Sequence, residues 1–509
     1  MLIADILRIG AQRAPSHIAI VDGARKLAYD ALDARTDRLA AALVAAGLGK
    51  GERIAAMMVN RAEYAELFFA AARAGSVLAH VSTRATANDL AYMLGKIGAR
   101  ALFIQRDLLA TFEGARALGA QVERVVVVDG PGADLAAFAA IDAPHAFPAL
   151  TPDDLLAINF TGGTTGRPKA VVVTHGARAT SAQCGRELFG LDASDVCAVA
   201  TPMFHTVGLY VWFGTVMLVG ATAVMMRGWD AQRFIDLAET HAITAGMFVP
   251  TQLNDVLRAP TFLPARLRSL RKVHFAGAPM AVALLDRLEA QLPWTSFVEH
   301  YGQSETGPVT LRAAGYNAIK RESIGRPVPG IEVRIVDQAT GAPCPPGVVG
   351  ELVTRGPHLL SGYWDDPEQT AHAFRYGDGW LATGDLGICD GDGFIRLVDR
   401  LKDMIISGGE NIYPIEIENA LYRHPAVAEC AVFGVPDDHW GEVPVAHVVL
   451  RPGARATAEE IIDHVERETA RWKRPRVVEF VRELPKTAVG KIQKNVIRDP
   501  YWRSRPRRI

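Results

Sequence analysis

Three threonines, three glycines and a lysine are compressed into Thr161-Gly-Gly-Thr-Thr-Gly-Arg-Pro-Lys169, a composition suited to gripping phosphate. Gly162, Gly163 and Gly166 carry no Cβ, so successive backbone N–H groups can turn toward a single anion. Thr161, Thr164 and Thr165 add hydroxyl donors, and Lys169 adds a point charge. A Walker A loop places Ser or Thr directly after its lysine and opens a helix, whereas here Ala170 and three valines follow, which is a strand pattern. The run therefore reads as a phosphate cradle delivered by β-structure, not as a P-loop.

Four other runs hold chemistry at close spacing. His300-Tyr-Gly-Gln-Ser-Glu-Thr-Gly-Pro308 brings together a ring that could cover a purine, the Ser304 hydroxyl and the Glu305 carboxylate. A single carboxylate with phosphate oxygens and retained waters is what Mg²⁺ favours. Thr383-Gly-Asp-Leu-Gly387 offers one acid between glycines, suited to accepting from ribose hydroxyls. Ser407-Gly-Gly-Glu-Asn411 signals close backbone approach or a bulge. Lys486-Thr-Ala-Val-Gly-Lys491 ends on a lysine beside a glycine turn. Taken singly, these runs also have ordinary readings as polar turns, an Asp turn and a solvated lysine.

Holding such groups together takes a large scaffold. The 509 residues, 49% hydrophobic and 22% charged, suffice for about two to four domains with a substantial core. A net charge of −1 gives no field that would recruit nucleic acid or an anionic membrane. Cys184, Cys197, Cys344, Cys389 and Cys430 form no C-x-x-C pair, which argues against both a disulfide framework and a zinc site and suits a reducing cytoplasm. The start, Met1-Leu-Ile-Ala-Asp5, lacks the basic and apolar segments of a signal peptide. Tyr210 to Met226 is shorter than the ~20 residues of a membrane span and reads as a buried helix ending near Gly220, then a strand from Ala221 to Met226.

Periodicity predicts an α/β architecture. Leu32, Leu39 and Leu43 share a helix face between a cap at Asp30 and a stop at Gly47. Strands are expected at 53–59, 77–81, 101–104 and 122–128, with a helix at 61–74, a connection at 129–150 and a strand at 155–160 that leads into the phosphate run. From about residue 320 short β-runs alternate with Gly and Pro turns, predicting a β-rich subdomain to about 400. Beyond it α/β texture returns. Pro414 suits the first turn of a helix, Ile417 and Leu421 share its face, and His424-Pro425 stops it.

In order and spacing, Thr161–Lys169, Pro202-Met-Phe-His205, Gly277-Ala-Pro279, Tyr301–Glu305, Thr383-Gly-Asp385, Asp399–Asn411 and Pro485–Lys491 resemble the core motifs of the adenylate-forming superfamily over nearly the whole chain. Within it the chain is most similar to fatty-acyl and aryl-CoA ligases. The resemblance implies a large N-terminal domain, 1–400, and a small mobile α+β C-terminal domain, 401–509, with a hinge near Lys402. It implies ATP, Mg²⁺ and coenzyme A, and a small carboxylic acid as substrate; a homodimer is compatible with it. Thr161, Gly162, Gly163, Thr164, Thr165, Gly166 and Lys169 would hold phosphates. Gly277, Ala278, Pro279 and Tyr301 would sandwich adenine, Gly302, Gln303 and Ser304 would line the nucleotide, and Asp385 with Arg400 would clasp ribose. Glu305 and Thr161 would meet the metal, and Lys491 would bridge the attacking carboxylate and the α-phosphate.

The resemblance puts His205 at the border of the acyl pocket, the apolar types of Tyr210, Trp212 and Val249 suggest that they line it with Gly277, and Ser407, Gly408, Gly409, Trp440, Arg471 and Lys473 are the expected CoA contacts. Two positions depart from the usual pattern, Ala170 after the phosphate-run lysine and Gly162 in place of a serine. A methyl at 170 is compatible with strand-like backbone. The leading expectation is an AMP-forming acid:CoA ligase. Its rivals are a freestanding adenylation enzyme that loads a carrier protein and a catalytically silent nucleotide-binding regulator. No Asp or Glu occurs in 204–212 or 246–252, which disfavours an amino acid as the acid.

Overall fold

The computed structural model describes residues 1–130, 134–141, 146–161, 168–487 and 490–503. Gly162, Gly163, Thr164, Thr165 and Gly166 of the phosphate cradle lie outside the described residues.

Helices and strands alternate through the first 312 residues and build two large sheets. One has nine strands, with a parallel centre formed by Ile18–Asp22, Thr222–Met225, Val196–Val199, Ala245–Phe248, Lys272–Ala276 and Ser296–Gln303. The other has seven strands, in the spatial order Gly362–Tyr363, Lys169–Thr174, Leu155–Thr161, Val77–His80, Arg53–Met57, Ala101–Ile104 and Arg124–Val127. The largest apolar core joins residues of both sheets through shared helices, among them Tyr29–Ala45, Ala62–Ala74 and His175–Leu188. Twelve of the thirteen residues of Ala62–Ala74 are buried, which is what a helix apolar on all sides must be. Glu66 survives in that core because Arg25 and Arg35 meet its carboxylate.

A four-stranded antiparallel sheet follows, Glu332–Val336, Gly350–Arg355, Leu381–Cys389 and Ile395–Arg400. Residues 362–363 leave this region to pair with Lys169–Thr174 of the seven-stranded sheet, so the β-rich stretch is not self-contained. The last sheet contains Ile405–Ser407, Glu410–Ile412, Val427–Asp437 and Gly441–Leu450, with Val477–Phe480 added in parallel. Helices Pro414–Arg423 and Ala458–Glu468 share its core.

Several local expectations shift. The first long helix is capped at Ala28 and runs Tyr29–Ala45, so Asp30 lies inside its first turn. The strand expected over 122–128 narrows to Arg124–Val127, and the 129–150 connection holds a short helix, Asp134–Ala139. The segment from Tyr210 begins in a π-helical turn, Val207–Phe213, before Gly214–Val219 and the strand Thr222–Met225. Pro414 does open its helix, and His424 caps the end. All five cysteines are free. Among the described residues no helix is long and apolar enough to cross a membrane.

Candidate active site

The site lies where parallel strands end. Val196–Val199, Ala245–Phe248, Lys272–Ala276 and Ser296–Gln303 are adjacent in the nine-stranded sheet and run in the same direction. Their C-terminal ends deliver His205, Val249, Gly277 and Tyr301 to one edge, the crevice where open α/β sheets take ligands.

Lys491 closes this edge from the segment beyond the last strand, Val477–Phe480, next to the isolated bridge between Lys486 and Ile492. A Cβ placed on Gly277 would stand 3.1 Å from the Cε of Lys491, 3.5 Å from its Nζ and 3.6 Å from Val249. Gly277 also has φ +86°, so both its backbone conformation and the approach of the lysine require glycine. Burial pulls the Lys491 ammonium down to about 8; Arg400 adds repulsion, while Asp385 and Glu305 oppose the shift. The His205 imidazole is held down to about 3, first by burial and then by Lys491, so it is neutral beside that cation.

Asp385 gathers the opposite wall. Its Oδ2 accepts from the Tyr301 hydroxyl at 2.6 Å and from Gln303 Nε2 at 2.7 Å, and Arg400 Nε stands 3.1 Å from its Oδ1. Gln303 Nε2 also donates to the Thr383 carbonyl at 2.9 Å. Register explains the pairing of acid and arginine, since Asp385 and Arg400 face each other across adjacent antiparallel strands. Gly302 sits at a bulge where a Cβ would fall 1.9 Å from the Gly307 carbonyl oxygen, so its lack of a side chain serves the chain reversal after Tyr301.

Glu305 is tied to the phosphate hairpin through residues 360–364. Tyr363 donates its hydroxyl to Glu305 Oε1 at 3.0 Å, and Leu360 N–H donates to the Glu305 carbonyl at 2.7 Å. The same segment bonds the hairpin, with Ser361 N–H on Val172 O and Trp364 N–H on Ala170 O. Lys169 Nζ lies 5.3 Å from the Tyr363 ring centre. The hairpin pairs Thr161 with Lys169 and Phe160 with Ala170, so the methyl at 170 is carried in a strand. Ala278 is partly buried and Pro279 exposed just beyond the strand end.

Two of the rings expected at the acyl pocket are fully buried. Tyr210 is fully buried, its hydroxyl 2.8 Å from His80 Nε2 and 3.2 Å from Asn159 Oδ1. Trp212 is also fully buried and donates to the Ala198 carbonyl at 2.8 Å. Their polar tips are satisfied by partners on strands Val77–His80, Leu155–Thr161 and Val196–Val199, so what either ring can offer a cavity is its apolar face. His205, Val249 and Gly277 remain at the strand ends.

In the C-terminal sheet, Ser407, Gly408 and Gly409 form a hairpin turn, and Gly408 N–H donates to the Trp440 carbonyl at 2.8 Å. The Trp440 indole is 42% exposed. Arg471 pairs with Glu466 at 2.9 Å and Lys473 with Glu416 at 2.5 Å, so these two cations already face carboxylates. Arg476, which no sequence motif singles out, is the cation beside Trp440, 5.8 Å from the ring centre. Lys402 lies in the turn after Ile395–Arg400, where Asp403 and Met404 N–H groups both donate to the Arg400 carbonyl. The lysine loop is also linked to the large sheets: Thr251 Oγ1 donates to Gly490 O at 3.2 Å and Arg84 to Thr487 O at 3.2 Å.

Comparison with known proteins matches residues 7–364 to the AMP-binding enzyme family and 416–491 to the AMP-binding enzyme C-terminal domain. A feruloyl-CoA synthase of Amycolatopsis is 38% identical, covering 96% of both chains. The fatty acid–[acyl-carrier-protein] ligase ScoC of Streptomyces coeruleorubidus is 35% identical, covering 98% of this chain and 96% of the relative. The ATP-bound crystal structure of MatB from Rhodopseudomonas palustris superposes with a TM-score of 0.90 at 31% identity, covering 98% of this chain and 99% of that one.

Proposed function

The chain belongs to the AMP-binding enzyme family, and from that premise we propose that it joins a carboxylic acid to coenzyme A in two steps, through an acyl-adenylate. It is an AMP-forming acid:CoA ligase that uses ATP and CoA. The observation that carries the mechanism is the Lys491 ammonium reaching Gly277 between the His205 edge and the Asp385–Arg400 pair.

In the first step the substrate carboxylate attacks the α-phosphorus of ATP, and pyrophosphate leaves. Both reagents are anionic, so the site must neutralise charge and align them. Lys491 sits where it can bridge the two. Asp385, fixed by Tyr301 and Gln303, accepts from the ribose hydroxyls, and Arg400 completes that clasp. Tyr301 and the Gly277–Pro279 segment flank the base. His205, neutral at physiological pH, borders the acid without adding a second cation beside Lys491.

Glu305 and the Thr161 hydroxyl are the residues that would hold Mg²⁺. Among the described residues there is no cluster of three His, Cys, Asp or Glu able to cage a metal, and one carboxylate suits Mg²⁺ bound mainly through nucleotide phosphates and water. When bound, that cation neutralises the departing pyrophosphate.

In the second step the CoA thiol attacks the acyl carbonyl, the thioester C–S bond forms and the acyl–phosphate bond to AMP breaks. Lys491 occupies the approach to that carbonyl, so the C-terminal domain must turn about the 401–403 connection before the thiol can enter. We place the boundary between the domains at 400/401. The turn at Ser407–Gly409, with Trp440 and Arg476 beside it, then receives the CoA arm and its adenine.

Similarity to ScoC favours a second reading, a carrier-protein thiol as acceptor. The exposed Trp440 beside Arg476 favours CoA, because a carrier's prosthetic arm has no adenine to stack there. Acid-dependent pyrophosphate exchange across aliphatic and aryl acids, followed by thioester formation with either CoA or a holo-carrier, tests both. No exchange with any acid would sink the ligase reading; thioester on the carrier alone would transfer the assignment to the second.

A further inference from the structure

Arg178 is a buried cation that the reaction described above does not use. It lies on helix His175–Leu188, directly after the hairpin that presents the phosphate cradle, and it is fully shielded from solvent. Its Nη2 donates to the Ser304 carbonyl at 2.5 Å, one peptide before Glu305. Among the described residues its Nε and Nη1 have no hydrogen-bond partner.

Its surroundings are specific. The guanidinium carbon lies 5.3 Å from the centre of the Tyr210 ring, whose hydroxyl is bonded to His80 and Asn159. Glu305 is the carboxylate that acts on it, and His358 nearby is neutral, held down to about 3 by burial and then by Arg178. Burial pulls Arg178 itself down to about 10, with Tyr210 and Glu305 opposing, so it stays charged at neutral pH. A fully buried guanidinium with two unpaired nitrogens is a poor stabilising element, because its desolvation is only partly compensated. The same charge placed behind Glu305 has an electrostatic use.

We propose that Arg178 is a positioning residue for adenylation: by gripping the Ser304 carbonyl and holding positive charge behind Glu305, it ties that carboxylate to the helix leaving the phosphate hairpin. Tyr363 fixes the Glu305 side chain from the 360–364 segment, and Arg178 fixes its backbone from the helix. The acid and the phosphate hairpin thus move as one body.

This rests on Glu305 acting on the nucleotide side. Arg178→Met keeps most of the volume and removes the charge; pyrophosphate exchange should fall roughly tenfold to a hundredfold in kcat, the scale for partners that orient a ligating carboxylate. KM for the acid should stay unchanged, and thioester formation from preformed acyl-adenylate should stay near wild type. The melting temperature should hold or rise, since two orphaned donors are gone. Arg178→Lys should restore part of the exchange rate. Should the methionine variant fail to fold, Arg178→Gln reports the same split. Exchange within about twofold of wild type, or equal losses in both half-reactions that track a lower melting temperature, overturns the proposal. Glu305→Gln separates the layers: if it exchanges normally, the reading of Glu305 fails; if it is inactive while Arg178→Met is active, only the role of Arg178 fails.

Discussion

The two walls of the site are held in opposite ways. On the Asp385 side, one carboxylate accepts from Tyr301 and Gln303 and pairs with Arg400, and the strands that carry these residues are themselves sheet-paired. On the Lys491 side, the lysine loop meets the large sheets through hydrogen bonds to the Gly490 and Thr487 carbonyls, each 3.2 Å long and partly or fully exposed. Over-determination suits a surface proposed to hold the adenosine of ATP and then of the acyl-adenylate. Among the described residues, exposed bonds of this kind suit a group that on the proposed mechanism is delivered for one half-reaction and withdrawn for the next.

The sharpest way to break this contrast is at the lysine itself. On the proposed mechanism Lys491→Ala removes the charge that bridges two anions, so acid-dependent pyrophosphate exchange should fall on the order of 10²–10³ or more. ATP affinity should stay within about tenfold, because the Asp385 wall is intact. Exchange near wild type would mean that the loosely held wall has no part in adenylation. Next in size is Lys402→Pro, which fixes φ in the connecting turn and restricts Leu401. Exchange should survive, while thioester formation from isolated acyl-adenylate drops roughly tenfold or more. Equal losses in both steps would remove the rotation about 401–403.

The pH profile sharpens the comparison further. Lys491 is a lysine whose ammonium is easier to deprotonate than in water, charged below about 8 and neutral above it. Since the proposed mechanism uses the cation, kcat/KM for exchange should decline as pH rises through that value. Bound ATP and acid add negative charge, which favours the ammonium, so the decline in kcat should lie at higher pH. A kcat/KM profile flat to pH ~9.5 would show that the charge on Lys491 is not what adenylation uses.

The over-determined wall was legible in the sequence and much of the rest was not, for a physical reason. Tyr301, Asp385 and Arg400 lie in short runs whose residue types are suited to a nucleotide, and strand register then brings them together. Ala170 was readable as a strand residue from the valines that follow it. Arg178, Tyr363 and Thr251 belong to no such run; they reach the site because a helix, an extra edge strand and a helix start happen to converge there, and a linear pattern carries no trace of that. Tyr210 and Trp212 show a different limit of the sequence. An apolar aromatic run beside His205 looks alike whether its rings face a cavity or the core, and only the structure shows that the π-helical turn over Val207–Phe213 leaves both fully buried.

The smallest expected effect probes the latch directly. Thr251 stands in the first turn of helix Pro250–Arg258, and its hydroxyl is the donor to the carbonyl immediately before Lys491. Thr251→Val keeps the β-branched shape that packs against Gly490 and deletes only that bond. A partly exposed hydrogen bond of this kind contributes about 0.5–1.5 kcal/mol, which converts to a shift of roughly twofold to tenfold in the balance between the closed and turned arrangements. Pyrophosphate exchange should therefore slow by up to that factor, while conversion of preformed acyl-adenylate to thioester holds or quickens, because withdrawing Lys491 has become easier. Opposite changes in the two half-reactions from one hydroxyl are difficult to produce by general destabilisation, which would depress both. Parallel losses would show that Thr251 merely supports the strand end, and that the closed state owes its population to other contacts such as Arg84 on Thr487.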